Sequence, residues 1–269
     1  MVQSLLGILP EILPHHQLHL LQGSQFAALS VVDGSEKTLA GFEYFHWENT
    51  VYDFSNVLHQ IAQQSKLLPQ FTQIVQVNWL YEDILDLLLE QAVVSEADNY
   101  LNALYGARPA HKVSSFTSPT HALFYRIPQN WETLWSQRTQ IIHQQHAYFN
   151  LHISENIHVK EGLQVSFFVQ HFLVQLQFQN KKYVGLLPYQ KTEDVLYHLH
   201  HICSEFQIPT GEITVWLSGL IEEQSDMHLS IAQYFSRLQF DAPASNLLAN
   251  ADLLAYPPHY FTPFLKHVV

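Results

Sequence analysis

The side chains in this sequence that could do chemistry are mostly imidazoles. His198 and His201 fall one helical turn apart, and His143 and His146 repeat that spacing. Two imidazoles so placed on one helix can share a zinc ion. A catalytic zinc needs a third protein ligand, commonly a carboxylate, and no H-E-x-x-H pattern supplies one. With 18 histidines in 269 residues, such pairs arise by accident, so solvated or packed rings are the favoured reading and no metal site is assigned. Cys203 is the single cysteine, which excludes an internal disulfide and any multi-cysteine metal site. It sits in a helical pattern between Ile202 and Ser204 and reads as a small buried thiol, not a nucleophile. No G-x-S-x-G elbow, Walker loop or dinucleotide fingerprint is present. The acid pairs Glu82-Asp83, Glu193-Asp194 and Glu222-Glu223 lie near expected helix starts, where the helix dipole favours them without any catalytic role. No catalytic residue is assigned.

Lys and Arg number 12 against 24 Asp and Glu, a formal charge of −12. That balance argues against nucleic-acid binding, which needs clustered cations to neutralise phosphates. A 47% hydrophobic and 13% charged composition is enough for a full core and rules out wholesale disorder. The opening MVQSLLGILPEILPHH lacks a basic n-region and is broken by Pro10 and Pro14, and no apolar run is long enough to span a bilayer. The expectation is a cytoplasmic protein in a reducing compartment. Low charge and abundant Gln and His favour specific association, so a protein partner is expected, with self-association left open.

The positioning elements follow from periodicity. From Gln17 to Trp47 three apolar runs are separated by Gln22-Gly23-Ser24 and Asp33-Gly34-Ser35, which reads as a meander with Gly23 and Gly34 at positive-φ turn positions. Val51, Phe54, Leu58 and Ile61 fall at helical spacing, a strand follows at Ile74 to Trp79, and helices are expected over Glu82–Gln91 and Glu96–Tyr105. The same succession recurs: strands at Val165–Val169, Phe172–Phe178 and Tyr183–Tyr189, a helix over Thr192–Phe206 capped by Thr192, a strand at Ile213–Leu217, and a helix over Asp226–Phe235. DFSNVLHQI from Asp53 aligns with DVLYHLHHI from Asp194, 141 residues later. Residues 107–150 read as an insertion with strands at Lys112–Phe116 and Ala122–Ile127 and a helix from Trp131 to about His146, on which Trp131 and Trp135 face a core. Two lobes are expected, 1–156 and 157–269, the second ending in a tail rich in proline and aromatic residues.

A duplicated βββαβα unit is the topology of the ribonuclease-H-like lobes of actin, Hsp70 and hexokinase, an α/β architecture of mixed sheets with helices on their faces. The segment from Tyr189 through Thr192-Glu193-Asp194-Val195-Leu196-Tyr197, with Leu217-Ser218-Gly219 and Ser225 to Tyr234, resembles domain-of-unknown-function family 3822. Those bacterial proteins have an actin-like ATPase fold and no established activity. The resemblance runs from Gln17 to the C-terminus and is strongest over Pro188–Leu238. More distantly the family is similar to pilus-assembly proteins of the same fold, which act as cytoplasmic scaffolds.

The resemblance implies where nucleotide chemistry would sit. Actin-like ATPases carry an acidic-x-Gly turn between the first two strands of each lobe, whose carboxylate holds the water shell of Mg²⁺. The first matching turn here is Leu20-Leu21-Gln22-Gly23-Ser24, with leucine at the acidic position; the second is Val169-Gln170-His171-Phe172, with neither acid nor glycine. The adenosine-binding Gly-Gly of the fold is Ser218-Gly219 here. Candidate nucleotide-binding positions are therefore Gly23, Ser24, Ser218 and Gly219. Phosphoryl transfer works mainly through Mg²⁺ and positioned charge, so no cofactor is expected. The sequence reads as a degenerate actin-like fold serving as a non-catalytic scaffold or regulatory interaction protein. The alternative is a nucleotide-binding switch whose lobes close on ATP.

Overall fold

Short apolar runs that end at turn residues become the strands of three sheets in the computed structural model, which describes residues 1–48, 53–81, 83–88, 94–117, 121–147 and 160–266. The chain forms two compact units, Met1–Val31 with Phe42–Ile153, and Val32–Gly41 with Ser154–Val269. The expected boundary between 156 and 157 lies outside the described residues.

The first meander is β2 (His16–Gly23), β3 (Phe26–Asp33) and β4 (Leu39–Trp47), preceded by β1 (Val2–Ile8). Helix α1 (Phe54–Gln64) follows, then β5 (Gln73–Leu80), β6 (Ile84–Leu88), α2 (Ala97–Tyr105), β7 (His111–Thr117), β8 (His121–Pro128), α3 (Gln129–Ser136) and β9 (Gln140–His146). Six of these strands form a sheet in the order β1-β4-β3-β2-β5-β9, and the other three form the sheet β6-β8-β7. Every residue of β4, and all of β3 but Asp33, is buried. Burial on both faces is why these strands read as nearly continuous apolar runs.

The second unit repeats the plan with β10 (Gly162–Phe167), β11 (His171–Phe178), β12 (Lys181–Pro188), α4 (Thr192–Glu205), β13 (Thr214–Gly219), α5 (Asp226–Tyr234) and β14 (Arg237–Phe240), and the short helix α6 (Thr262–Leu265) follows in its tail. The sheet order β12-β11-β10-β13-β14 matches β4-β3-β2-β5-β9 strand for strand, so the expected duplicated α/β topology is present. In both, the first meander strand pairs in parallel with the strand after the helix: β2 with β5 (Leu20↔Val77), and β10 with β13 (Val165↔Leu217). Val195, Leu199, Ile202 and Cys203 of α4 pack into the same core as Val165, Val174 and Leu217 of the sheet.

Several local expectations are corrected. Residues 84–88 form an edge strand paired with β8 (Ile84↔Tyr125), not the centre of a helix over 82–91; a run as short as ILDLL cannot distinguish strand from helix by itself. The ends of that expected helix, and Val51, lie outside the described residues. The helix expected from Trp131 to His146 stops at Ser136, and Gln140–His146 pairs in parallel with β5 as the sheet's sixth strand. Gly23 does not take a positive φ; its hydrogens face the Phe26 ring, which any Cβ would strike. At the next hairpin the positive φ falls on Lys37, at 59°. Thr192 is the first helical residue of α4, and the free N–H groups ahead of the helix are satisfied by Asp194, which accepts from Gln190 N (2.9 Å) and Lys191 N (3.1 Å). Those bonds hold the Asp194 carboxyl below its usual range. Strands β1 and β14 had no expected counterpart.

Leu199 is fully buried in the second core and Tyr197, on the same helix, is exposed. Leu199→Ala is expected to destabilise the chain by about 2–5 kcal/mol, against no more than ~0.5 kcal/mol for Tyr197→Ala, as read from urea unfolding midpoints.

Candidate functional site

The first unit contains an open cavity of about 770 Å³, lined by residues from six of its segments. Ser24 follows β2, Trp47 ends β4, Phe54 opens α1, Tyr81 follows β5, Arg108 and His111 lead into β7, and Asn130 and Trp131 belong to α3. Its wall is aromatic. Phe54 stacks obliquely on Trp47 (6.2 Å between centroids) and on Trp131 (5.2 Å), and Tyr81 meets Trp131 edge-on at 5.7 Å. Trp79 lies behind, 6.0 Å from Trp131. All five rings are buried, so the wall is also core, and its shape is fixed by packing.

A linked group of polar side chains adjoins this wall. The Tyr81 hydroxyl lies 3.0 Å from His111 Nε2, and Arg108 Nη1 donates to that hydroxyl across 3.4 Å. Arg108 Nε is 3.0 Å from Asp83 Oδ2, and Arg126 Nη2 is 2.8 Å from the same oxygen. Asp83 and Arg126 are completely enclosed (0% and 1% side-chain exposure), whereas Arg108 is 34% exposed. Arg126 projects from β8 onto the end of α2, donating from Nη1 to Asn102 Oδ1 (2.9 Å) and the Gly106 carbonyl (3.0 Å), and from Nη2 to the Leu101 carbonyl (3.3 Å). A guanidinium at a helix C-terminus satisfies carbonyls that the helix leaves open and complements the dipole. The acid of α3, Glu132, is bound by Lys112 at 2.7 Å, which holds its carboxyl below the ordinary range.

His146 adds a buried neutral group beside this wall. Its Nε2 lies 3.0 Å from the Tyr81 carbonyl oxygen and its ring 5.0 Å from that of Tyr125. Burial pushes its pKa down to about 4, against a smaller upward pull from the Tyr81 backbone.

The sequence-derived positions fall in different places. Ser24 lines the cavity. Gly23 closes β2, where Gln22 is fully buried and donates from Nε2 to the Gly23 (2.6 Å) and Phe26 (3.1 Å) carbonyls. Leu21, at the acidic position of the fold, is core. In the second unit Ser218 shares a hydrogen bond with Ser166 (2.8 Å between oxygens, both buried), and Gly219, at φ +77°, lies against the Phe167 backbone where a Cβ would collide. His143 and His146 occupy a strand, and the odd spacing puts them on opposite faces, His143 exposed and His146 buried. His198 packs 5.9 Å from Phe172, and His201 lies parallel to Tyr197 at 6.0 Å. Burial pushes the Cys203 thiol up to about 11, consistent with an unreactive core thiol. Trp131 and Trp135 are both buried, as their spacing implied. Asp83, Arg108, Arg126, Tyr81 and His111 had no sequence-level assignment; Glu82-Asp83 had been read only as a helix-start pair. The available signal was Arg126 itself, a cation inside the apolar run ALFYRI, where burial demands a partner.

Two predictions follow from this geometry. Removing Arg126 takes from Asp83 the enclosed one of its two guanidiniums and leaves the partly exposed Arg108, so Arg126→Met is expected to cost up to about 3–5 kcal/mol, and Asp83→Leu added to it should recover part of the loss in chemical unfolding. His146 has a folded pKa below its unfolded value, so protonation favours the unfolded chain. Its contribution is intact above roughly pH 6.5 and is lost as pH falls toward about 4, a loss of order 3 kcal/mol. His146→Gln should flatten the pH dependence of stability across that window.

Comparison with known proteins places the chain. A family model described as protein of unknown function, DUF3822, matches residues 14–238. No curated protein matches the sequence. Among solved structures, a Bacteroides thetaiotaomicron protein with an actin-like ATPase fold and unknown function is 10% identical, with 86% of this chain and 94% of that chain covered and a TM-score of 0.67. The PilM–PilN type IV pilus biogenesis complex is 11% identical, with 94% and 97% covered and a TM-score of 0.59. At such identity these similarities speak for the fold. No helix among the described residues is long and apolar enough to cross a membrane. With the family model spanning most of its length and the duplicated sheet order in both units, the chain belongs to the DUF3822 family and has the actin-like ATPase fold.

Proposed function

We propose that this protein is a non-catalytic member of the actin-like fold that works by binding another protein, as a scaffold or regulatory component. The observation that carries the reading is the state of the first turn. Where the fold places a metal-holding carboxylate, Leu21 is packed in the core, and the neighbouring Gln22 amide is turned inward onto Gly23 and Phe26. The second turn, Val169-Gln170-His171, offers no carboxylate. Without those acids the fold lacks the groups that carry Mg²⁺ for phosphoryl transfer. The similarity to PilM, solved as a complex with PilN in type IV pilus biogenesis, supports a protein-binding role by analogy of fold. The acid excess of the chain, −12 overall, supports a protein partner over a nucleic acid.

The reading is tested with the purified chain and millimolar Mg-ATP or Mg-ADP. A ligand at a hundredfold excess over its Kd adds about 2.7 kcal/mol, a shift in Tm of about 2–4 °C for a chain of this size. No shift and no phosphate release above background are expected. A reproducible shift with either nucleotide, or turnover, overturns the proposal in favour of the nucleotide switch.

A further inference from the structure

We infer that the second unit's cavity beyond β10 and β13 receives an arginine side chain of a partner protein. The inference rests on the protein-binding role proposed above and names a contact that carries it.

The cavity lies outside the carboxyl ends of two adjacent parallel strands, where an open α/β sheet leaves room for a ligand. Phe167 ends β10 opposite Gly219 of β13, and the chain leaves β13 through Leu220 toward α5. A space of about 400 Å³ there is lined by Phe167, Leu220, Met227 of α5, Tyr189 after β12 and Tyr260 of the tail, together with Glu222. Phe167 is buried, Leu220, Met227, Tyr189 and Tyr260 are half-buried, and Glu222 is exposed. The rings of Phe167 and Tyr189 meet edge-on at 5.9 Å with their planes at 89°, so together they form a corner. The Tyr189 hydroxyl donates to the Phe168 carbonyl at 2.7 Å, which fixes the ring in place. Met227 adds an unbranched thioether that adapts to whatever lies against it.

These surfaces suit a cation with a flat, weakly hydrated head and an apolar stem. Aromatic faces attract cations, arginine more often than lysine, and a guanidinium can stack on a ring while its N–H fork meets a carboxylate. Glu222 supplies the carboxylate. Its Oε1 accepts from the Tyr260 hydroxyl across a long 3.4 Å, and no lysine or arginine is among the described lining residues. Glu223 and Asp226, both exposed, add negative charge in the same loop and first helical turn. Glu222 acts on the Tyr260 phenol, and Glu223 acts on the neighbouring His259 with His228 opposing it. An acidic rim turns phosphates and carboxylates away, and a chain with 24 acids against 12 cations draws a basic partner. Arginine within a polypeptide presents its guanidinium alone. Free arginine brings a carboxylate as well, which this rim disfavours, so the protein-borne side chain is the better match.

Met1 and Met227 are the two methionines of the chain, so protein labelled with carbon-13 at the methionine methyls gives two signals. Met227 reports the cavity, Met1 is 94% exposed and serves as the control, and Met227→Leu assigns the pair. The probe is the capped tripeptide acetyl-Ala-Arg-Ala-amide at millimolar concentration, beside its citrulline and lysine counterparts and free L-arginine. Saturable displacement of the Met227 signal by the arginine peptide is expected, with the neutral citrulline peptide at least about fivefold weaker and the lysine peptide between them. Free L-arginine should bind more weakly than the peptide. Glu222→Gln should bring the arginine and citrulline peptides to within about twofold of each other, with the urea midpoint unchanged because Glu222 is exposed. A Met227 signal that does not move, equal binding of the citrulline peptide, or an undiminished preference in Glu222→Gln overturns the inference. A lysine peptide that binds as tightly overturns the arginine assignment, and tighter binding of free L-arginine overturns the protein source. Displacement of the Met227 signal by Mg-ATP in place of the peptide gives the cavity to a nucleotide and overturns both this inference and the proposed function. A Met227 signal that ignores peptide and nucleotide alike, with no effect of Mg-ATP on Tm, removes this site and leaves the protein-binding role standing.

Discussion

The first unit is organised around one buried carboxylate. Asp83 follows β5 of the six-stranded sheet and precedes β6 of the three-stranded one, and its side chain receives Arg126 from β8 and Arg108 from the approach to β7. Its own carbonyl accepts from Arg126 N at 3.0 Å. Arg126 in turn gathers the last carbonyls of α2. A single charged residue thus fixes the inserted sheet and helix relative to the end of β5. Such an arrangement is tolerable in a core only if complete, because an enclosed carboxylate without its guanidinium costs several kcal/mol. The pair is consequently a specificity device as much as a source of stability: it permits one seating of the inserted layer and penalises others.

That seating shapes the cavity. Tyr81, two residues before Asp83, is fixed by the end of β5 and packs edge-on against Trp131, while His111 and Arg108 are brought to its hydroxyl by the strand that Arg126's sheet positions. The second unit solves the corresponding problem differently. It has only α5 between β13 and β14, and its polar anchor is Asp241, just past β14, held by Lys160 (2.6 Å) and Lys266 (2.8 Å). Burial pushes the Asp241 carboxyl up, but the charge of Lys266 and the bonds from both lysines outweigh it and hold it below its usual range. Both units therefore carry a buried carboxylate bound by two cations, after β5 in the first and after β14 in the second, on a duplicated frame.

The frame was legible in the sequence because it is built from local rules. The meander strands were visible as apolar runs ended by Asp33-Gly34-Ser35 or Asn180-Lys181, and α1, α4 and α5 as 3.6-residue patterns. What was not legible depends on partners distant in the chain. Residues 84–88 become a strand because β8 is there to pair with them, and Gln140–His146, with little apolar signal, becomes a strand because β5 offers a parallel edge. Once Gln140–His146 is extended, the helical pairing of His143 and His146 dissolves, since a strand alternates faces. Gly23 was recognised as necessary for the wrong reason: a ring, not a backbone angle, excludes a side chain there. The cavity was reached only through Ser24. Its polar members are spread over residues 24–133, and nothing local marks them as neighbours.

Burial fixes the first turn as well. Once Leu21 and Gln22 are internal, the first turn is held by apolar burial and by hydrogen bonds to its own backbone. Restoring a carboxylate there would place an unpaired charge against the core, at a cost that a single binding event would have to offset. The turn is thereby locked into a structural role. The inserted layer is under no such constraint at its rim: Arg108 is one-third exposed and Ala110 is open. Of the two, Arg108 is tied to the enclosed Asp83 by its ion pair. The duplicated sheets carry the fold, and the enclosed pair of Asp83 and Arg126 fixes the inserted layer upon the first of them.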